Sequence, residues 1–196
     1  TEIIQVCQDK GIQLMVDECF LDLTLEGDSR TLLPILRNNP HLFVLKAFTK
    51  TYAMAGLRLG YGVCSDGALC DWMREHGQDW SVSTLAQVVG IHVLEQQPYL
   101  EQSLKLIHTE RMKMMEALRG LGYQVHEGSA NYLLFRDPLK RPLEQLLLKQ
   151  GILIRSCANY HNLDTGYYRI AIRQAHENQR LIQCLTALQC GSLESQ

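Results

Sequence analysis

The chain has 196 residues, of which 46% are hydrophobic and 20% are charged, a composition typical of a globular protein with a sizeable core. Its formal net charge of −2 gives no basis for a nucleic-acid or membrane-surface partner, and no apolar run is long enough to span a bilayer. The cysteines are scattered and include no CxxC pair. We therefore expect reduced thiols in a cytoplasmic protein, without disulfides and without a zinc site.

In the first half of the chain, helical and strand patterns alternate, which predicts an α/β fold with a parallel sheet. A helix is predicted over residues 2–10, where the pattern is amphipathic and Gly11 ends it. A buried strand is predicted at residues 12–16. The later elements are a short helix at 32–37, strands at 42–46 and 59–64, and a helix at 66–76.

Helical periodicity dominates from residue 84 to residue 121, where Pro98 is the only internal break, so residues 99–121 are predicted to form one long helix. After Gly122 the pattern becomes that of a compact α+β unit. Its predicted strands lie at residues 123–126, 132–136, 152–155 and 167–172, and its helices at 143–150 and 177–188. The change of pattern places a domain boundary near Gln97, and the long helix bridges the two parts.

The segment AFTKTYAMAGLRLGYG, residues 47–62, contains a lysine and an arginine with complementary chemistry. A deprotonated amine, as at Lys50, forms imines with carbonyl compounds, and a planar guanidinium, as at Arg58, binds phosphate oxygens in a bidentate manner. Upstream, Asp17 closes an apolar strand, where a carboxylate needs a compensating partner such as a protonated ring nitrogen. Together these groups indicate a pyridoxal phosphate site. The alternatives are a solvated loop lysine, a capping carboxylate and a guanidinium in a surface ion pair.

This segment and LMVDECF, residues 14–20, closely resemble the cofactor-binding motifs of the fold-type I pyridoxal-phosphate enzymes, which are aminotransferases and their decarboxylase relatives. The resemblance implies a partial pyridoxal-phosphate transferase large domain of the aspartate aminotransferase type in residues 1–97. It implies that residues 98–196 form the small C-terminal α+β domain, which includes the long bridging helix.

The resemblance also assigns roles to five residues. It implies that Lys50 holds the cofactor covalently, that Asp17 contacts the cofactor's ring nitrogen, and that Arg58 and Thr49 bind its phosphate. Phe20 occupies a further cofactor-binding position but departs from the common pattern. Many aminotransferases place a tyrosine there, whose hydroxyl bonds the ring oxygen, whereas the decarboxylase relatives often have phenylalanine. Core packing is an equally good explanation of Phe20.

Two arginines lie in strand-like segments of the second half that resemble the family's substrate-binding segments, residues 151–160 and 167–173. The resemblance implies that Arg169 binds the substrate α-carboxylate and that Arg155 binds a side-chain phosphate. The expected substrate is therefore a small phosphorylated amino acid. Because side chains alternate between the two faces of a strand, many arginines point into solvent, and Arg173 is a candidate for such an exposed position.

Within the family, the motifs DECF, DWSVSTLAQ and ILIRSCANY favour the decarboxylase branch that acts on a phosphorylated amino acid. Histidinol-phosphate-type aminotransferases are the alternative, because they would use the same two arginines. The family is homodimeric and its members are about twice as long as this chain. Because the chain begins at Thr1 within a helical pattern, we expect a fragment. A catalytically silent fragment or a scaffold module is therefore a further alternative.

Overall fold

The computed structural model describes residues 2–191, which divide into two compact units between Gln102 and Ser103. The assignment of these units to a cofactor-binding and a small C-terminal domain stays a prediction. Within residues 2–191, no helix combines the length and the apolar character that crossing a membrane requires.

The first unit contains a small sheet flanked by short helices. Its elements in chain order are α1 (Glu2–Asp9), β1 (Leu14–Asp17), α2 (Gly27–Arg30), β2 (Leu42–Ala47), α3 (Phe48–Thr51), β3 (Gly60–Cys64), α4 (Gly67–Glu75), α5 (Thr84–Val93) and the start of α6 (Gln97–Gly120), with 3₁₀ turns at Leu21–Leu23, Leu33–Asn38 and Ala55–Leu57. The order of the strands is β1-β2-β3. The alternation of helices and strands predicted from the sequence is confirmed here, and α4 begins where the Asp66 carboxylate accepts the N–H groups of Ala68 and Leu69.

The sheet is mixed rather than fully parallel. Strand β1 pairs parallel to β2, with Asp17 opposite Leu45, as the sequence predicts. Strand β3 pairs antiparallel to β2, with Gly60 opposite Ala47. The connection between β2 and β3 contains only single helical turns, so it reverses the chain instead of carrying it across the sheet as a longer crossover helix would.

One face of this sheet packs against helical segments. The buried side chains of Leu36, Leu42 and Val44 form the centre of the cluster, and the residues that pack around them are Ile4, Leu14, Val16, Leu32, Leu33 and Val63. The prediction of a buried strand at residues 12–16 is wrong in part. The strand begins at Leu14, and its side chains alternate between half-buried and exposed, with Met15 61% exposed. Only one face of β1 contacts the cluster, so alternate side chains remain accessible.

A buried ion cluster joins the ends of β1 and β2. The Lys46 ammonium, on a side chain that is 5% exposed, lies 2.6 Å from an Asp22 oxygen and 3.1 Å from a Glu18 oxygen. The other bonds of Glu18, which is 4% exposed, come from the Thr31 hydroxyl at 2.7 Å and the Leu32 N–H at 2.8 Å. Every charged group in this cluster is therefore paired and hydrogen-bonded, as burial of ions requires.

The pKa values of the cluster follow from these contacts. Burial alone would raise the pKa of Glu18, but the bonds from Leu32, Thr31 and Lys46 lower it below its ordinary value. Burial alone would lower the pKa of Lys46, yet the Asp22 and Glu18 carboxylates raise it. Both groups are consequently charged at neutral pH.

The second unit is an antiparallel sheet covered by helices. Its remaining elements are β4 (Gln124–His126), β5 (Tyr132–Arg136), α7 (Leu143–Lys149), β6 (Arg155–Ser156), β7 (Tyr167–Ala171) and α8 (Ala175–Gln189), and the strand order is β4-β5-β7-β6. The core is formed by the part of the long helix α6 that belongs to this unit, the inner face of the sheet, and helices α7 and α8. Its most completely buried side chains are Leu118, Leu133, Phe135, Leu143, Leu147, Tyr168 and Leu185.

The strand predicted at residues 152–155 forms only at Arg155–Ser156, so that prediction is wrong in its bounds. The reason lies at the end of α7. The N–H of Ile152 donates to the Leu147 carbonyl at 2.9 Å, and Gly151 adopts the left-handed conformation with φ +71°. This arrangement closes the helix and occupies the N–H that a longer strand would need for pairing.

The buried ion cluster gives a stability prediction that separates two lysines. We expect Lys46→Ala to lower the free energy of unfolding by about 3–5 kcal/mol, because it leaves two carboxylates without their buried partner. Lys50→Ala, at an exposed position, should change it by no more than about 0.5 kcal/mol. Denaturant unfolding of the two variants measures the difference. Equal stability of the two variants would contradict the pairing of Lys46.

Candidate active site

The carboxyl ends of β1 and β2 bring the first two candidate residues to the same edge of the sheet. Asp17 is the last residue of β1, and Lys50 lies in α3, which follows β2 directly. Because β1 and β2 run parallel, their carboxyl ends lie side by side. In open α/β sheets, ligands bind at this edge of the strands.

The Asp17 carboxylate is accessible and ionised. Its side chain is exposed, and one oxygen accepts the N–H of Cys19 at 2.9 Å. The Cys19 thiol also donates to this carboxylate, and the two bonds hold the pKa of Asp17 below its ordinary value against a smaller opposing effect of burial. The pKa of the Cys19 thiol is raised to about 11, first by burial and then by Asp17. At neutral pH, Asp17 therefore offers a negative charge and Cys19 a neutral donor.

Lys50 is the accessible amine of this region. Its side chain is exposed, and its ammonium lies 5.6 Å from the centroid of the Phe20 ring, a cation–π contact. Within residues 2–191, Lys50 has no carboxylate at ion-pair distance, whereas Lys46 on β2 is held by two. The amine of Lys50 is thus available for a ligand, and that of Lys46 is not.

Cys19 marks the point where these groups meet. It bonds the Asp17 carboxylate, and the charge of Lys50 acts on its thiol. The structure thereby brings Asp17, Phe20 and Lys50 together around one short segment. The side chain of Thr49 lies half-buried beside Lys50 in α3.

Arg58 lies farther along the same connection, in an unusual backbone conformation. Its φ of 54° and ψ of 47° are left-handed, and Ala53 has a φ of 54° as well. This conformation costs free energy for a non-glycine residue, and such strained residues are often found at functional sites. The Arg58 guanidinium is exposed and donates to the Ala55 carbonyl at 3.1 Å. This bond anchors the guanidinium to its own turn.

The second unit carries the other two candidates side by side. Arg155 on β6 and Arg169 on β7 are direct cross-strand partners. The Arg155 guanidinium lies 5.4 Å from the Tyr160 ring, and that of Arg169 lies 5.4 Å from the Tyr132 ring. In the part of the chain that the structure describes, neither arginine has a carboxylate within ion-pair distance.

This pair of guanidiniums is chemically suited to an anion with two negative groups. Like charges directly opposite each other on a sheet repel, so a bound anion would relieve the repulsion. Planar guanidiniums bind carboxylates and phosphates in a bidentate manner. Arg173 differs, because it is exposed and lies 2.6 Å from Glu177. That ion pair accounts for Arg173 without a ligand.

Some residues that shape the site were not singled out from the sequence. They are Glu18, Asp22 and Lys46, which form the ion cluster, and Cys19, which bonds Asp17. A signal for the cluster was present, since Lys46 lies inside an apolar strand and a buried charge requires a partner. Cys19 had no comparable signal, because its contact depends on the turn after β1.

The chain has extensive similarity to known enzymes. Residues 1–187 match the family described as Aminotransferase class I and II. Over 187 residues the chain is 41% identical to the threonine-phosphate decarboxylase of Salmonella typhimurium, covering 94% of this chain and 51% of that protein. It is 33% identical to a histidinol-phosphate aminotransferase of Oleidesulfovibrio alaskensis, covering 86% of this chain and 45% of that protein. The chain spans about half the length of these curated relatives.

The fold agrees with this similarity. The histidinol-phosphate aminotransferase from Clostridium acetobutylicum matches with a TM-score of 0.91 at 28% sequence identity. The match covers 97% of this chain and 58% of that one. Sequence and fold therefore agree over nearly the whole chain, and the chain belongs to the aminotransferase class I and II family.

Proposed function

We propose that the chain is part of a longer pyridoxal-phosphate-dependent enzyme that decarboxylates L-threonine O-3-phosphate to aminopropanol phosphate, a step of cobalamin side-chain synthesis. The observation that carries this proposal is the position of the Asp17 carboxylate and the Lys50 amine at adjacent strand ends. The 41% identity to a threonine-phosphate decarboxylase supports the reaction, and the relatives' double length supports a longer polypeptide. The large-domain and small-domain roles of residues 1–97 and 98–196, and a homodimeric enzyme, belong to the same proposal.

The groups around Lys50 fit pyridoxal phosphate. An ionised carboxylate suits a protonated ring nitrogen, and Asp17 has a lowered pKa and is exposed. An amine without a carboxylate partner suits covalent attachment, which is the role of Lys50. Arg58 and Thr49 would bind the phosphate, and the Phe20 ring would contact the cofactor without donating a hydrogen bond. When bound, the cofactor supplies an electron-accepting ring that stabilises the charge left on the substrate's α-carbon.

The residues of this chain position the substrate and move the proton. Arg169 would bind the α-carboxylate and Arg155 the side-chain phosphate, because each guanidinium offers paired donors to an anion. Asp17 keeps its charge at neutral pH and so keeps a bonded ring nitrogen protonated. Lys50 must lose the proton on Nζ to act as a nucleophile and can afterwards carry a proton at that atom. The Phe20 ring, whose centroid lies 5.6 Å from Nζ, contacts this amine from the side.

A histidinol-phosphate-type aminotransferase is the second candidate. It is favoured by the TM-score of 0.91 to such an enzyme and by a second such relative at 33% identity. Both reactions would use a phosphorylated substrate, the same two arginines and the same lysine, so the arginines do not separate them. The identity of 41% against 33% favours the decarboxylase.

The product assay decides between the two reactions. The full-length protein, loaded with pyridoxal phosphate, is incubated with L-threonine O-3-phosphate in the absence of any keto acid. We expect release of carbon dioxide and formation of aminopropanol phosphate. Amino transfer that requires 2-oxoglutarate would instead establish the aminotransferase, and bound cofactor without either product would indicate a silent module.

Covalent attachment at Lys50 is tested by reduction with borohydride, which fixes an imine irreversibly. In the full-length protein we expect the label on the tryptic peptide of residues 47–58, because modified Lys50 resists cleavage. Lys50→Ala should lose both the label and the visible absorbance of the bound cofactor, while Lys10→Ala, which changes an exposed lysine outside this region, should keep them. Label on any other lysine in the unmodified protein would refute the assignment.

The phosphate role of Arg155 is tested by substrate preference. We expect Arg155→Gln to raise the KM for the phosphorylated substrate by roughly 10- to 100-fold, since a hydrogen bond to a charged group contributes about 1.5–3 kcal/mol. Unphosphorylated L-threonine should be affected much less. Arg173→Gln is the matched control, because its partner is Glu177. Equal loss for both substrates in Arg155→Gln would contradict the phosphate assignment.

A further inference from the structure

Two cysteines outside the candidate active site lie in direct contact. Cys64 is the last residue of β3, Cys70 lies in the second turn of α4, and their sulfur atoms are 3.2 Å apart. Both side chains are half-buried. In the described part of the chain, this is the only contact between two cysteine sulfurs.

The backbone on both sides holds this contact in place. Cys64 is paired with Phe43 in the β2–β3 ladder, so its position is set by the sheet. Cys70 follows a helix start that is capped by Asp66, whose carboxylate accepts two backbone N–H groups. The Cys64 thiol also donates to the Asp66 carbonyl at 3.5 Å. The short segment between the thiols is therefore ordered, and little chain entropy remains to oppose a bond between them.

We propose that Cys64 and Cys70 form a redox-active dithiol that a small-molecule disulfide, such as oxidised glutathione, converts into an intramolecular disulfide. A sulfur–sulfur bond is about 2.05 Å long, so closure needs a movement of only about 1 Å. The proposal does not depend on the proposed enzymatic function.

The exchange takes place in two balanced steps. The thiolate of one cysteine attacks a sulfur of the small disulfide, which forms a mixed disulfide and releases one small thiolate. The thiolate of the second cysteine then attacks the protein sulfur of that mixed disulfide and releases the second small thiolate. In total, two S–H bonds of the protein are replaced by one S–S bond, and the small disulfide takes up the two electrons and two protons as two thiols.

Proximity favours the second step over a second modification. A neighbouring thiol at contact distance has an effective concentration far above that of any dissolved thiol. Burial, followed by the Cys70 thiol, raises the pKa of Cys64, so its thiolate is scarce at neutral pH and the reaction is slow. The same property makes Cys64 a poor leaving group, which slows reduction of the finished bond. The equilibrium product is therefore the quantity to measure.

The chain provides a matched control pair. Cys184 and Cys190 have the same sequence spacing as Cys64 and Cys70, but Cys184 lies within α8 and Cys190 is its C-cap. Since a helix has about 3.6 residues per turn, positions with this spacing point in different directions. Cys190 is exposed and should accept glutathione as a mixed disulfide.

The experiment uses the native full-length protein, equilibrated with oxidised glutathione, alkylated, and digested with trypsin. The peptide of residues 59–74 contains only Cys64 and Cys70, and we expect it to lose the mass of two hydrogen atoms. Cleavage before aspartate should then leave the two fragments that carry Cys64 and Cys70 joined until the disulfide is reduced. Cys64→Ser and Cys70→Ser should each leave glutathione attached to the remaining cysteine of this peptide.

Three results at the proposed pair would overturn the proposal, and a fourth, at the control pair, would do so as well. The first three are two glutathione groups on the unmodified peptide of residues 59–74, a disulfide from Cys64 or Cys70 to another cysteine, and free thiols at both positions while Cys190 is modified. A disulfide between Cys184 and Cys190 under the same conditions would show that spacing alone suffices, and it would also remove the structural basis of the inference.

Discussion

The buried ammonium of Lys46 between the carboxylates of Glu18 and Asp22 is the interaction on which the arrangement of the first unit depends. It connects the segment after β1 to the carboxyl end of β2. Lys46 and Glu18 are buried and Asp22 is half-buried, and buried charges are tolerated only when each is paired, so loss of Lys46 leaves the two carboxylates uncompensated. The Thr31 and Leu32 donors complete the coordination of Glu18 and tie a third segment to the same point.

This cluster adjoins the candidate active site along the chain. Glu18 is the neighbour of Asp17, and Lys46 is on the strand that leads into α3 and Lys50. Asp17 and Glu18 are successive residues at the end of β1, and one side chain is exposed while the other is buried. Lys46 is buried on β2, whereas Lys50 is exposed because it lies in α3 beyond the strand. Of the two adjacent acids and the two nearby lysines, one of each is therefore buried and the other is exposed. The interior pair of Glu18 and Lys46 is fixed by its contacts, and the accessible pair of Asp17 and Lys50 is the one that we propose for catalysis.

The second unit uses a different means of presenting charge. Arg155 and Arg169 are opposite each other on neighbouring strands, where like charges repel, and each guanidinium lies near a tyrosine ring. Aromatic faces attract cations and orient the planar group without neutralising it. The hydrogen-bond donors of these guanidiniums therefore remain available to a bound anion. In the ion pair of Arg173 and Glu177, a carboxylate already balances the charge and accepts a hydrogen bond from the guanidinium.

The sequence by itself determined the order and type of nearly every helix and strand, because hydrophobic periodicity, capping and glycine positions are local properties. It also determined the chemical groups of the candidate site through the motifs around Asp17 and Lys50. The exposure of β1 was decided by which face of the sheet is covered, and the short extent of β6 by the way α7 ends. Local sequence patterns contain neither kind of information. Only the tertiary structure decided which lysine is buried and which pair of cysteines touches, because these contacts join segments that pack together only after the chain has folded.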